Sequence, residues 1–544
     1  MNDYIKVYEP RVNVKSSVEQ SKIVYMGGSR IAEQTHVADS SQTSPQIPIQ
    51  SLFTVYPNNP RTIVDRYIKV RSYIEVTCDQ PHQLGTNDAL RSFPMNSVIE
   101  TTTCTINGFP VAENTGDDLH ALKCYGNSVE DRSRSVSMTP AQPDSYQEYS
   151  DWTTYGSARN PLANYGENSA EPSRGGFVYE VVSPTVFRAV VTEPLMLSPF
   201  FDGNGHQEEG LVNVNQLNVS LRYKSDLSRV MSHASTGNAI TTVGMTFYRA
   251  PELLVVQITP DVLQPIPELQ VLPYFKKQTF IKQLPTLTAG QTNTNIISDT
   301  IKLNQVPRYM YLFCKHSRAT SDFKTSDSFL SLKNLQLFWN SEQLFSSTSQ
   351  QELFEISRRN GCNLDWPSFS KYRGSVICID FGGNLGLPDG QAPGVRGQFT
   401  LQVNGLQGTN ESSEDFTPEF YMVFQLEGTM SISEGVAMAS LGNLDTQDVL
   451  EARDAPELSH LDYQKLQGGS FLSSLKNIVS KVSHGVESAL PVAKLIAGVS
   501  APEFLPALGM VGQVAKVGKC LTGGRLAGGR LAGGRLAGGA VRRR

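Results

Sequence analysis

Two runs of short alternating strands, split by a cluster of prolines, limit this chain to few folds. Apolar and polar residues alternate at Ile63-Val64, Tyr67–Val70 and Tyr73–Val76, and again through Val214, Leu217, Val219 and Leu221. Period-two alternation puts one face of a strand in a core and the other in solvent. Further strands are expected at Phe93–Val111, Phe177–Val182, Val186–Val191, Leu211–Tyr223, Thr241–Tyr248 and Leu253–Ile258. Inside Phe93–Val111, Asn107-Gly108 is the two-residue signal of a tight hairpin. Pro260, Pro265, Pro267 and Pro273 then mark a linker. A second series follows at Gln278–Lys282, Asn295–Leu303, Arg308–Cys314, Leu332–Trp339, Ser375–Phe381, Gly397–Val403 and Phe420–Ser433. Only Ser349–Asn360 reads as helix in this half.

Residues 52–258 and 259–435, the latter including the linker, are therefore expected to be two all-β blocks. Each supplies about eight strands, the number in a jelly roll, although lectin-like or immunoglobulin-like sandwiches fit the same pattern. The 44 glycines and 30 prolines suit such strands and long loops better than helical bundles. Residues 1–51 read as a polar arm, 436–469 as an acidic linker, and 470–544 as a helix followed by a basic low-complexity tail.

Little here supports catalysis. No phosphate-binding glycine loop and no H-E-x-x-H pair occurs. The seven cysteines form no C-x-x-C, and the eight histidines are scattered, so no metal, cofactor or disulfide framework is expected. Asp202–Gly205 with Glu208 and Glu209 misses the spacing of a calcium loop and reads as a solvated turn. Cys314 and His316 share a strand face, and packing is their simplest role. The N-terminus lacks a signal-peptide core, which points to synthesis in the cytosol.

At the C-terminal end the composition breaks. Gly468-Gly469 disfavours helix and strand alike, leaving an extended, accessible segment. Immediately after it, Phe471, Leu475, Ile478, Val482 and Val486 form one apolar stripe at helical spacing, opposite Lys476 and Lys481. Such a helix suits either the underside of the body or a membrane interface. Eleven Lys/Arg and two acids follow Ser470, which leaves 36 basic against 50 acidic residues before it. Arg525, Arg530, Arg535, Arg542, Arg543 and Arg544 are spaced by glycine-rich repeats, so contact with nucleic acid is expected to be loose and salt-sensitive.

Four strings carry a family resemblance. FPMNSVIETTTCTINGFPV (Phe93–Val111), IKLNQVPRYMYLFCK (Ile301–Lys315), SLKNLQLFWNSEQLF (Ser331–Phe345) and GSVICIDFGGNLGLPDGQAPGVRGQFTLQVNG (Gly374–Gly405) occur in order. Together they resemble double jelly-roll major capsid proteins of small eukaryotic DNA viruses: polinton-like viruses, adintoviruses and virophages, with the adenovirus hexon more distant. The resemblance covers roughly 52–435. It implies two tandem jelly rolls in an icosahedral virion shell, a homotrimer of pseudo-hexagonal outline, and penton and minor capsid proteins as neighbours. Loops 77–97, 112–175 and 382–396 are then expected to carry trimer contacts and the outer surface. It also implies an adenovirus-type cysteine protease, whose sites read (Leu/Ile/Met)-x-Gly-Gly. Leu466, Gly468 and Gly469 before Ser470 fit that pattern, as does the site ending at Gly524 before Arg525. Release of 470–544 would free the helix for a host membrane and the arginines for viral DNA, with assembly in cytoplasm or nucleus. A tandem carbohydrate-binding sandwich with a membrane-active C-terminal peptide is the alternative.

Overall fold

The structure, a computed structural model, describes residues 11–15, 21–25, 30–125, 139, 178–200 and 210–454. Short interruptions fall at 45–46, 58, 60, 83, 85–87, 115, 234–239, 261–265, 324, 348, 412–414 and 434. The first sandwich pairs two antiparallel sheets. One runs in the order Phe109–Glu113, Ile99–Ile106, Leu217–Tyr223, Ile47–Val55, Ser40–Ser44. The other runs Val178–Ser183, Val186–Pro194, Lys69–Cys78, Val243–Thr259, Arg30–Val37. Alternation does what the sequence predicts: Leu217, Val219, Leu221 and Tyr223 enter the core while Asn218, Ser220 and Arg222 do not. Asn107 and Gly108 both take positive φ, 47° and 84°, and join Ile106 to Phe109 in a two-residue hairpin.

The second sandwich has a sheet ordered Leu269–Gln283, Pro418–Ser433, Tyr309–His316, Ile377–Asp380, with Val436–Leu441 beside Pro418–Ser433. A second sheet runs Ile301–Gln305, Arg396–Asn404, Leu335–Trp339, Glu342–Ser347. Asn340 and Ser341, also at positive φ, close the last hairpin between Trp339 and Glu342. Aromatic contacts fill the core: Trp339 stacks on Phe399 at 4.9 Å between ring centres, and Phe313 on Tyr421 at 5.0 Å. The helix Gln350–Arg359 lies where the sequence places one, capped by Ser349, whose hydroxyl accepts from Glu352 N at 3.0 Å.

One ribbon serves both cores. Leu269–Gln283 and Pro418–Ser433 pair from Leu269↔Ser433 through to Gln283↔Glu419. At one end Leu272, Tyr274, Met430 and Ile432 are buried in the first core. At the other, Phe420, Met422 and Phe424 are buried in the second. Gly428 lies between these ends, where a Cβ would come within 2.1 Å of Ser440 O, so glycine lets the neighbouring strand close in. Two further segments cross over. Tyr125, from the first half of the chain, belongs to the second core, and Phe323, from the second half, belongs to the first.

Several elements depart from expectation. Residues 30–51, read as arm, supply strands to both sheets of the first sandwich. Residues 32–37 are exposed or half-buried and are held by main-chain bonds along Val243–Thr259, so no apolar period announces them. Phe93–Val98 begins as the helix Pro94–Val98 rather than a strand: proline suits a first helical turn, and Glu193 accepts from Met95 N at 3.0 Å and Asn96 N at 2.7 Å. Leu211 makes a single bridge to Val64, and regular pairing waits until Leu217. Thr241–Tyr248 and Leu253–Ile258 are one strand, Val243–Thr259, bulged around Pro251. Of the expected acidic linker, Val436–Leu441 is a strand and Thr446–Asp454 a helix. A short π-helical turn, Ser368–Tyr372, adds to the expected helix.

Because Phe323 joins the first core from the second half of the chain, Phe323→Ala should cost about 3 kcal/mol of unfolding free energy. Urea denaturation measures this, and a cost below about 1 kcal/mol would contradict the anchor role.

Candidate functional site

Polar loops from both halves build a charged seam around these crossings. Arg91 follows the strand Asp88–Leu90 and is fully buried. Its Nε donates to Met231 O at 3.1 Å within the first sandwich. It also reaches the second: Nη2 donates to Phe323 O at 3.0 Å and Thr325 O at 2.8 Å, and Nη1 meets Asp327 Oδ2 at 3.3 Å. A planar guanidinium with five fixed donors can satisfy such a ring of acceptors, which a lysine could not. Arg229 supports the same loop, donating from Nη1 to Thr325 O at 2.8 Å and lying 3.2 Å from Asp327 Oδ1.

A second hub is Asp117. Lys224 Nζ lies 3.0 Å from its Oδ1, Lys315 Nζ 3.6 Å, and Arg318 Nε donates to it at 2.8 Å. The chain then turns through Leu119–Leu122 and enters the second sandwich. There Tyr125 Oη donates to Val376 O at 2.5 Å, Asn363 N donates to Cys124 O at 2.8 Å, and Arg373 Nη2 donates to His120 O at 3.2 Å. Thus 117–125, part of the loop 112–175 expected to carry trimer contacts and the outer surface, lies in the seam.

Burial sets the protonation of this seam. It pushes Lys315 down to about 7, with Lys224 and Arg229 adding to the effect. Burial likewise pushes Lys224 down to about 8 and raises Asp118 to about 6. His120, with Nδ1 3.1 Å from Ser92 Oγ and Nε2 3.3 Å from Ser97 Oγ, is pushed down to about 4. Burial is the main cause; Asp327 opposes it, and Arg373, Lys315 and Arg229 reinforce it. His316 sits against Phe416, ring centres 3.6 Å apart, and burial raises the Cys314 thiol, so these two are packing residues.

Asp454 is the last residue described. Leu466, Gly468, Gly469, Ser470, Gly524 and Arg525 fall outside, as do the apolar stripe Phe471, Leu475, Ile478, Val482, Val486 and the arginines 530, 535, 542, 543 and 544. Asp202–Gly205 also lies outside the described residues. Among the described residues, no group of three or more His, Cys, Asp or Glu side chains is placed to hold a metal ion. The seam residues themselves were not foreseen. Their partners lie far along the chain, as with Arg91 and Thr325, and isolated charges in polar loops give no local period to read.

Comparison with known proteins decides the family. Residues 3–185 match the Sputnik virophage major capsid protein 1st domain, and 276–428 match the major capsid protein V20 C-terminal domain. The chain is 30% identical to the putative capsid protein V20 of Sputnik virophage, over 94% of its own length and 92% of the relative's. This chain belongs to the virophage major capsid protein family. A chain in the cryo-EM structure of Sputnik virophage superposes with a TM-score of 0.72 at 30% identity, over 84% of this chain and 97% of that one. The mavirus major capsid protein shares the fold, with a TM-score of 0.61 at 17% identity over 82% of this chain and 97% of that one. The fold is the double jelly roll, and the family is one of structural proteins, which sets aside the carbohydrate-binding alternative.

In this capsid protein the seam should be acid-sensitive in a way that one side chain reports. The folded pKa of His120 lies below its unfolded value, so the folded chain binds fewer protons and its stability falls as pH drops from about 6.5 toward 4. Asp118, raised to about 6, acts in the opposite direction, so the contribution is read by difference. Between pH 7 and pH 4, wild type should lose roughly 2–3 kcal/mol relative to His120→Gln by urea denaturation. Parallel pH curves for the two proteins would contradict this.

Proposed function

We propose that this chain is the shell-forming subunit of a virophage-like virion, three copies associating into a pseudo-hexagonal capsomer that tiles an icosahedral shell. The observation that carries this reading is the fusion of two jelly rolls by one shared ribbon, in a chain of the virophage capsid family. Two joined sandwiches give each subunit two similar lobes, and three such subunits give six. Penton and minor capsid proteins are the neighbours this arrangement requires, and assembly proceeds in the host cytoplasm or nucleus.

A maturation step completes the proposal. An adenovirus-type cysteine protease cuts between Gly469 and Ser470 late in assembly. Support comes from the Leu466–Gly469 pattern, the glycine pair and the reversal of charge immediately after it. Until then, tethering holds the basic tail at high local concentration beneath the shell, where its arginines contact packaged DNA. Afterwards the helix with Phe471, Leu475, Ile478, Val482 and Val486 leaves to act on a host membrane. Each buried aliphatic side chain contributes roughly 1.5–3 kcal/mol to that insertion.

Native mass spectrometry of capsomers released from mature particles tests both parts. The expected species is a trimer of chains ending at Gly469. Monomers would overturn the capsomer assignment, and chains running to Arg544 would overturn the cleavage.

A further inference from the structure

The first sandwich holds a small interior cavity between its two sheets, with about 10 Å³ open to the centre of a water molecule. That is roughly the room one water occupies. Apolar side chains such as Val70, Ile99 and Leu221 form much of the wall, and every lining residue is buried. Four polar residues enter the lining: Ser72, Asn96, Glu193 and Tyr223. Ser72 and Glu193 come from the strands Lys69–Cys78 and Val186–Pro194 of one sheet, and Tyr223 comes from Leu217–Tyr223 of the other.

The Ser72 side chain is 1% exposed, and its hydroxyl has no hydrogen-bond partner within the protein. Strand register accounts for this. Ser72 lies opposite Val191, and Val70 lies opposite Glu193, so Ser72 and Glu193 are diagonal neighbours on the inner face. Diagonal neighbours sit roughly 7–8 Å apart at the backbone, beyond the direct reach of a short serine but within the span of one bridging water. The Glu193 carboxyl is turned toward the helix Pro94–Val98. Its Oε1 accepts from Met95 N at 3.0 Å and Thr139 Oγ1 at 3.2 Å, and its Oε2 from Asn96 N at 2.7 Å. A carboxylate offers about four acceptor sites, so one remains. The Asn96 side chain donates from Nδ2 to Pro194 O at 3.2 Å. Tyr223 Oη donates to Ser51 Oγ at 3.3 Å and keeps lone pairs with which to accept.

An unpartnered buried hydroxyl is costly, and a buried water is held by two to four polar partners. We propose that one water occupies this cavity, bonded to Ser72 Oγ, the Glu193 carboxyl and Tyr223 Oη, and pins the two sheets of the first sandwich to each other. Water both donates and accepts, so it serves Glu193 in either protonation state; burial pushes that carboxyl up to about 7. Thr192 supplies the contrast. Its hydroxyl is also buried and unpartnered, but it lies opposite Arg71 on the other face of the strand and does not line the cavity.

Cryo-EM or crystallography of the full chain, at a resolution that shows ordered water, tests the site. The expected result is a density peak within about 2.6–3.2 Å of both Ser72 Oγ and a Glu193 carboxyl oxygen. Thermal unfolding of two variants tests the pin. Ser72→Ala takes a partner from the water and should lower Tm by about 1–3 °C. Thr192→Val removes a hydroxyl that has nothing to bond and should hold or raise Tm. A cavity without density overturns the proposal, as does a Tm for Ser72→Ala at or above that of wild type, the response of a dry core relieved of a polar group. An equal fall in both variants would assign the loss to packing and overturn it too.

Discussion

Arg91 cannot be buried without its ring of acceptors, and that requirement ties the two sandwiches together. Leaving a guanidinium in a dry interior is costly, and removing one partner of a buried pair commonly costs about 3–5 kcal/mol. Here the acceptors come from both halves: Met231 O from the first, and Phe323 O, Thr325 O and Asp327 from the second. If the second half moves away, the charge loses Phe323 O, Thr325 O and Asp327. The same loop carries Phe323 into the first core, so apolar anchoring and charge satisfaction depend on one geometry.

The shared ribbon and the Tyr125 crossing extend this dependence along the whole contact. Apolar burial alone would let two sandwiches slide, because it has no direction. Hydrogen bonds with fixed donors set the register, and the charged seam adds the penalty for misalignment. Two sandwiches fixed in register would suit the shell-forming role proposed above, since a hinge between them would misplace every contact between subunits.

Much of the fold was legible because it rests on local signals. Alternation at Leu217–Tyr223, the Asn107-Gly108 turn and the Ser349 cap each follow from a few adjacent residues. Elements held by distant partners were not legible. The strand Arg30–Val37 lacks an apolar face and exists because Val243–Thr259 offers it a main-chain edge. The helix Pro94–Val98 depends on Glu193, which is remote in sequence. The seam shows this most fully, because Arg91, Asp117 and Asp327 read as ordinary loop charges until the sandwiches are brought together. For the tail, the sequence alone speaks, through the Leu466–Gly469 pattern and the arginine repeats.

Differential scanning calorimetry of the full chain asks most directly whether the seam makes the two sandwiches one structure. One cooperative endotherm, with van't Hoff and calorimetric enthalpies in agreement, is the predicted result. Two resolved endotherms, one for each sandwich, would show that the halves unfold independently and would contradict it.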